Sequence, residues 1–188
     1  IAANLINVGG VVNPGSPFGN LATSAGKSYQ QTAGATLSVS LGGSSGSSLA
    51  AIGGNATLNG QLQINLVNGF VPQSGQVFEV LSCTLLAGKF STLSGSPLAG
   101  QVWIPRYSST NVTLLVAGQA VLNKPSFSGP SPSLAIPTTA GVVYTVEATS
   151  ELNPANWQVI DSWTGDGTIK NVSDTVASTQ RFYRVLLQ

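Results

Sequence analysis

Histidine and methionine are absent from the 188 residues, and cysteine occurs once. Without His there is no Ser-His-Asp or Cys-His catalytic unit and no imidazole metal ligand. A lone Cys83 excludes an internal disulfide and any thiolate cluster within the chain. Its neighbours in EVLSCTLL are mostly apolar, which marks it as a buried, inert thiol. Charge is also scarce. Lys, Arg, Asp and Glu make up 7% of the chain, against about 25% in an ordinary soluble domain. Between Ile1 and Phe78 the only charged side chain is Lys27. A net charge of +1 supplies no field to draw in nucleic acid or an anionic membrane. No apolar run approaches the roughly 18–20 residues of a membrane helix, so no membrane insertion is expected. No GxxxxGK[ST] loop is present, and Gly42, Gly43, Gly46, Gly53 and Gly54 read as turns. These absences point away from catalysis and cofactors, and towards a structural role.

What remains is a β pattern. Hydrophobic residues reach 42%, enough for a core, and 22 glycines punctuate them. From Tyr29 to about Val121 the period is two. Leu37, Val39 and Leu41 share one face, as do Leu62, Ile64 and Leu66, and Val112, Leu114 and Val116. Ser, Thr, Gln and Asn fill the other face. Ala35-Thr36-Leu37 with Leu41 recurs as Ala56-Thr57-Leu58 with Leu62. That shift of 21 residues suits one coil of a β-solenoid, with a solenoid-like sandwich as the alternative.

Four segments follow. Residues 1–19 are an extended N-terminal segment with no evident strand partner. Residues 20–122 form the solenoid-like domain. Residues 123–137, with prolines at 125, 130, 132 and 137, read as a linker running into an edge strand. Residues 138–188 hold most of the charge and four strands, and read as a small β-sandwich. The fold class is all-β, with no helix beyond a turn or two. Gly165-Asp166-Gly167 reads as a hairpin turn, Asn153-Pro154 as another turn, and Trp157, Tyr144 and Phe182 as the core of the last module.

Two stretches resemble known families. Asn68-Gly69-Phe70-Val71-Pro72, Gly75, Phe78, Val80-Leu81 and Gly88-Lys89-Phe90-Ser91-Thr92-Leu93 resemble the last coils of autotransporter-like β-solenoid secreted bacterial proteins, over about residues 29–117. Tyr144, Val146-Glu147, Leu152, Trp157 and Arg181-Phe182-Tyr183-Arg184 are similar to the small fibronectin-III-like or immunoglobulin-like module that ends many such proteins. The resemblance implies a non-catalytic role in surface display, anchoring or assembly.

Candidate chemistry is thin. Glu147, Glu151, Asp161, Asp166 and Asp174 lie in a module too small for a sugar cleft. Salt bridges to Lys170, Arg181 or Arg184 and turn caps are their expected roles. Asp161, Asp166 and Asp174 match no calcium loop, so no metal is expected. Trp163, beside a turn, is the candidate for stacking a ligand such as a cell-surface glycan. The chain starts at Ile1 rather than Met and is rich in Thr, Ser, Asn and Gly, which reads as a processed or partial, secreted protein of the cell surface. A mean hydropathy of +0.25 with so few charges suits a protein covered by copies of itself. The expectation is self-assembly into a filament or surface layer. Leu5, Ile6, Val8, Val11 and Val12 are the residues expected to carry it, as a strand donated to a neighbouring subunit, with pairing to the first strand of their own solenoid as the alternative. The alternative is a C-terminal anchoring or glycan-binding module of a larger secreted protein.

Overall fold

A computed structural model describes residues 1–43, 46–95, 97–122, 125–128, 131–175 and 180–188. The chain divides into two compact units, Ile1–Val116 and Ala117–Gln188. Of the proline-rich segment, Asn123, Lys124, Gly129 and Pro130 lie outside the described residues.

The first unit is a β-solenoid of about three turns. Its first coil holds β1 (Leu5–Asn7), β2 (Val11–Val12) and β3 (Asn20–Ala22). The second holds β4 (Tyr29–Gln31), β5 (Thr36–Leu41) and β6 (Leu49–Ala51). The third holds β7 (Asn55–Leu58), β8 (Gln61–Leu66) and β9 (Val77–Ser82). Each strand pairs in parallel with its counterpart one coil on, building three walls. β10 (Leu85–Gly88) and β11 (Thr92–Ser94) extend the first two walls by one strand. The third wall ends differently. β12 (Gln101–Tyr107) folds back through residues 108–110 into β13 (Asn111–Gly118), which pairs antiparallel with β9.

Alternation explains the walls. In the second wall Leu37 stacks on Leu62, Val39 on Ile64 and Leu41 on Leu66. The first five of these are fully or almost fully buried. Full burial of each such side chain contributes about 1.5–3 kcal/mol. The ladder also corrects the expected repeat. Thr36 pairs with Gln61, a shift of 25 residues (61 − 36), not 21. Ala56-Thr57-Leu58 lies in the first wall, beside Tyr29-Gln30, while Thr36-Leu37 lies in the second. The two similar tripeptides therefore sit on different walls and are not successive copies of one position.

A polar network closes the corner between these walls. The buried Tyr29 hydroxyl donates to Gln31 Oε1 at 2.6 Å. Gln31 Nε2 reaches the carbonyls of Ala35 (3.2 Å), Asn59 (2.7 Å) and Gln61 (3.0 Å). One coil earlier, the register partner Asn7 repeats the device. Its Nδ2 donates to the Thr36 carbonyl at 3.1 Å, and its Oδ1 accepts from Gly10 N at 3.1 Å. Gly60 makes the next corner at φ +65°, where a Cβ would collide with the Ala35 and Thr32 carbonyl oxygens.

The second unit holds two three-stranded sheets. One orders β14 (Ser126–Ser128), β15 (Ser131–Pro137) and β18 (Ile169–Ser173). The other orders β17 (Gln158–Thr164), β16 (Val143–Thr149) and β19 (Phe182–Leu187). All pairings are antiparallel. Leu134, Ile136, Val142, Tyr144, Val146, Ala148 and Val172 are buried.

Three expectations meet the structure here. Asn153-Pro154 does form the turn, bridged by Leu152 and Ala155, between β16 and β17. Gly165-Asp166-Gly167 is not a hairpin turn, because β17 pairs with β16 and β18 with β15. The segment carries the chain from one sheet to the other, held by Asp166 Oδ1 accepting from Thr168 N (2.9 Å) and Oγ1 (2.7 Å). Tyr144 is in the core, but Trp157 and Phe182 are only half-buried. Trp157 lies just before β17, where the Arg184 guanidinium covers its ring at 4.3 Å.

Candidate functional site

The five apolar residues singled out near the N-terminus all lie in the first coil, and they are held by their own chain. Leu5–Asn7 pairs in parallel with Tyr29–Gln31, and Val11–Val12 with Thr36–Leu37. Leu5 N donates to Ser28 O at 2.9 Å, Asn7 O accepts from Thr32 N at 3.0 Å, and Gly10 O accepts from Thr36 N at 2.9 Å. The segment therefore offers an edge and not a loose strand.

That edge is continuous around the coil. β1, β2 and β3 are the outermost strands of their three walls. Leu5 and Val12 turn inward and pack on the core. Ile6, Val8 and Val11 turn outward, with exposures of 59%, 70% and 66%. The outward rows then change character. Behind Ile6 stand Gln30, Thr57 and Ala87. Behind Val11 stand Thr36, Gln61 and Thr92. Only the first coil carries large aliphatic side chains on these two rows, at positions the later coils fill with polar or small ones. It carries no charged side chain, the first being Lys27.

The opposite end is built otherwise. Its third wall finishes on β12, which contains Pro105 and Arg106. Proline has no N–H to offer a further strand, and charge on an edge disfavours pairing. Lys89, just after β10, lies over the Tyr107 ring at 5.4 Å from the centroid.

The side chains capable of chemistry are engaged one by one. Arg184 Nε donates to Glu147 Oε2 at 2.6 Å. Asp174 Oδ2 accepts from Arg181 Nε at 2.8 Å and from the Tyr183 hydroxyl at 3.3 Å. Lys170 lies 3.9 Å from Asp161. Hydrogen bonds from Thr168 hold the Asp166 carboxyl below its ordinary range. Among the described residues no three acidic or thiol groups come together to hold a metal ion. Cys83 donates to the Thr110 carbonyl at 3.4 Å, and burial pushes its thiol pKa up, away from nucleophilic character.

Trp163, the candidate stacking residue, already stacks on Tyr144, with centroids 5.7 Å apart and planes at 11°. Lys170 Nζ lies 5.6 Å from its centroid. Trp103 is buried edge-on against Phe78. The polar corner around Gln31 and the row contrast at Ile6 and Val11 were not singled out by sequence reasoning. The first had a signal, since Tyr29 and Gln31 share a face in a period of two. The second needed the register. Comparison with protein-family models, characterised proteins and solved structures finds no match.

Proposed function

We propose that this chain is a non-enzymatic, extracellular structural protein that associates with copies of itself through β-strand contacts of its first coil. The observation that carries this reading is the row contrast, with Ile6 and Val11 exposed where later coils have Gln, Thr or Ala. A strand edge without charged side chains, flanked by exposed aliphatic ones, is a template for another strand. The two sheets of the second unit are read as a small fibronectin-III-like or immunoglobulin-like β-sandwich that displays or anchors the assembly at the cell surface. The autotransporter-like motifs support the same setting.

Sedimentation velocity and negative-stain electron microscopy test the reading on the 188-residue protein. The parent should self-associate with rising concentration. An Ile6→Lys, Val11→Lys variant with an unchanged circular dichroism spectrum should not. A parent that stays monomeric at every soluble concentration sinks the proposal.

The closed opposite end favours a second reading. Pro105 and the fold-back of β12 into β13 suit a module that terminates a longer solenoid and anchors it to the cell surface or a surface glycan. Further coils of the same polypeptide would then lie against β1, β2 and β3. The intact mass of the native secreted protein separates the two.

A further inference from the structure

We infer that two copies meet first coil to first coil about a two-fold axis, with β1 pairing antiparallel to its own counterpart around Ile6. This rests on the self-association reading and adds its symmetry.

The two ends of the solenoid decide the geometry. At the first coil, the outermost strands β1, β2 and β3 belong to one turn and share a level, beyond which only Ile1 stands, bonded to Ala22 O and Ser24 N at the end of β3. At the other end β10, β11 and β13 share a level, because each pairs with a strand of the third coil. β12 stands one strand beyond them. A head-to-tail contact would set a level face against a stepped one. Meeting β12 would leave the other two walls apart by about one strand spacing, roughly 4.8 Å. Missing main-chain hydrogen bonds on two walls is a large loss for a contact built on strand edges. Pro105 removes a further donor on the one strand that would touch.

A like-to-like contact has neither fault. The first coil has no charged side chain to repel its copy, and the Ile1 ammonium beside it is held on Ala22 O at 2.7 Å. A two-fold axis perpendicular to the solenoid reverses strand direction, so edges that pair in parallel inside the chain pair antiparallel across the contact. Antiparallel pairing is slightly the more stable per residue. Ile6 is the middle residue of the three in β1. An axis through it sets the two Ile6 side chains opposite each other, about 4.5–5.5 Å apart. Each then covers aliphatic surface that is 59% exposed in the single chain. The contact uses the same patch on both partners and closes at two, so it builds no filament.

Disulfide trapping tests this in a Cys83→Ser background. Ile6→Cys should give a covalent dimer under mild oxidation. Thr57→Cys, on the same outer row two coils inward, should stay monomeric on a denaturing gel. Ile6→Lys alone should weaken dimerisation about tenfold in sedimentation velocity, with its circular dichroism unchanged. A parent that forms filaments keeps the self-association reading and overturns the two-fold contact. So does a parent that associates while Ile6→Cys cross-links no better than Thr57→Cys. A strictly monomeric parent overturns both and leaves the edge to a further coil of its own polypeptide.

Discussion

The two units solve the same problem, satisfying polar groups in a β structure, with different chemistry. Residues 1–116 contain four charged side chains, Lys27, Glu79, Lys89 and Arg106, while residues 117–188 contain the other nine. In the first unit buried polar groups are met by neutral amides, as at Asn7 and Gln31. In the second, ion pairs join in: the buried Asp174 is met by Arg181 and the half-buried Glu147 by Arg184. The difference follows from topology. A parallel in-register ladder sets equivalent positions of successive coils side by side, so a repeated charge would face its own kind. An antiparallel sheet brings unlike segments together, as when Glu147 of β16 meets Arg184 of β19. There opposite charges can be paired across the strands.

The sharpest way to break this comparison is to remove apolar stacking from the solenoid. Leu62 is fully buried beneath Leu37. Leu62→Ala should cost about 3–5 kcal/mol. Amide hydrogen exchange should show that loss in β5, β8 and their neighbours. A variant whose protection there matches the parent would mean the ladder does not carry the unit.

Gln31→Leu tests the neutral-amide half of the contrast. It keeps the volume roughly constant and removes the side-chain donor to the carbonyls of Ala35, Asn59 and Gln61, of which Ala35 O keeps only its bond from Gln61 N at 2.9 Å, and it takes the acceptor from the Tyr29 hydroxyl. The expected cost is about 2–3 kcal/mol, with little change between low and high salt. The same corner has a pH signature. Burial pushes the Tyr29 pKa up to about 12. A raised tyrosine pKa means its contribution is intact below the unfolded value of about 10. It is then lost as pH rises towards 12. Denaturant midpoints measured across that window should fall in the parent and less so in Tyr29→Phe.

The smallest expected effect lies in the second unit. Arg184 is 43% exposed, so its pair with Glu147 is worth no more than about 1 kcal/mol and is screened by salt. Arg184→Ala should lower the melting temperature slightly, and high salt should shrink the difference. A salt-independent loss would assign the effect to the stacking of Arg184 on Trp157 instead.

Much of the solenoid was legible because alternation is local. Leu37, Val39, Leu41 and Leu62, Ile64, Leu66 mark two strands without any knowledge of the fold. The coil length was not legible from the tripeptide match, because the corners differ in length. Residues 42–48 join β5 to β6, whereas residues 67–76 join β8 to β9. The last unit was misread where size stood in for position. Trp157 is the right size for a core but sits just outside a strand, and Gly165 has a turn composition while bridging two sheets. The proposed association site was half visible. The five residues could be read from their aliphatic character, whereas their place on an edge depends on pairings at 24 and 25 residues (29 − 5, 36 − 11).

The amide corners also set an order of events in time. Two of the three carbonyls within reach of Gln31 Nε2 belong to Asn59 and Gln61, in the following coil. Asn7 likewise reaches forward to Thr36. The first and second coils are thus each completed by the one made after it. During synthesis the first and second coils each hold an amide awaiting partners in the next, so folding should advance as a zipper from the N-terminus. A chain ending at residue 50 would present such an unfinished step, with Gln31 made but its acceptors Asn59 and Gln61 missing.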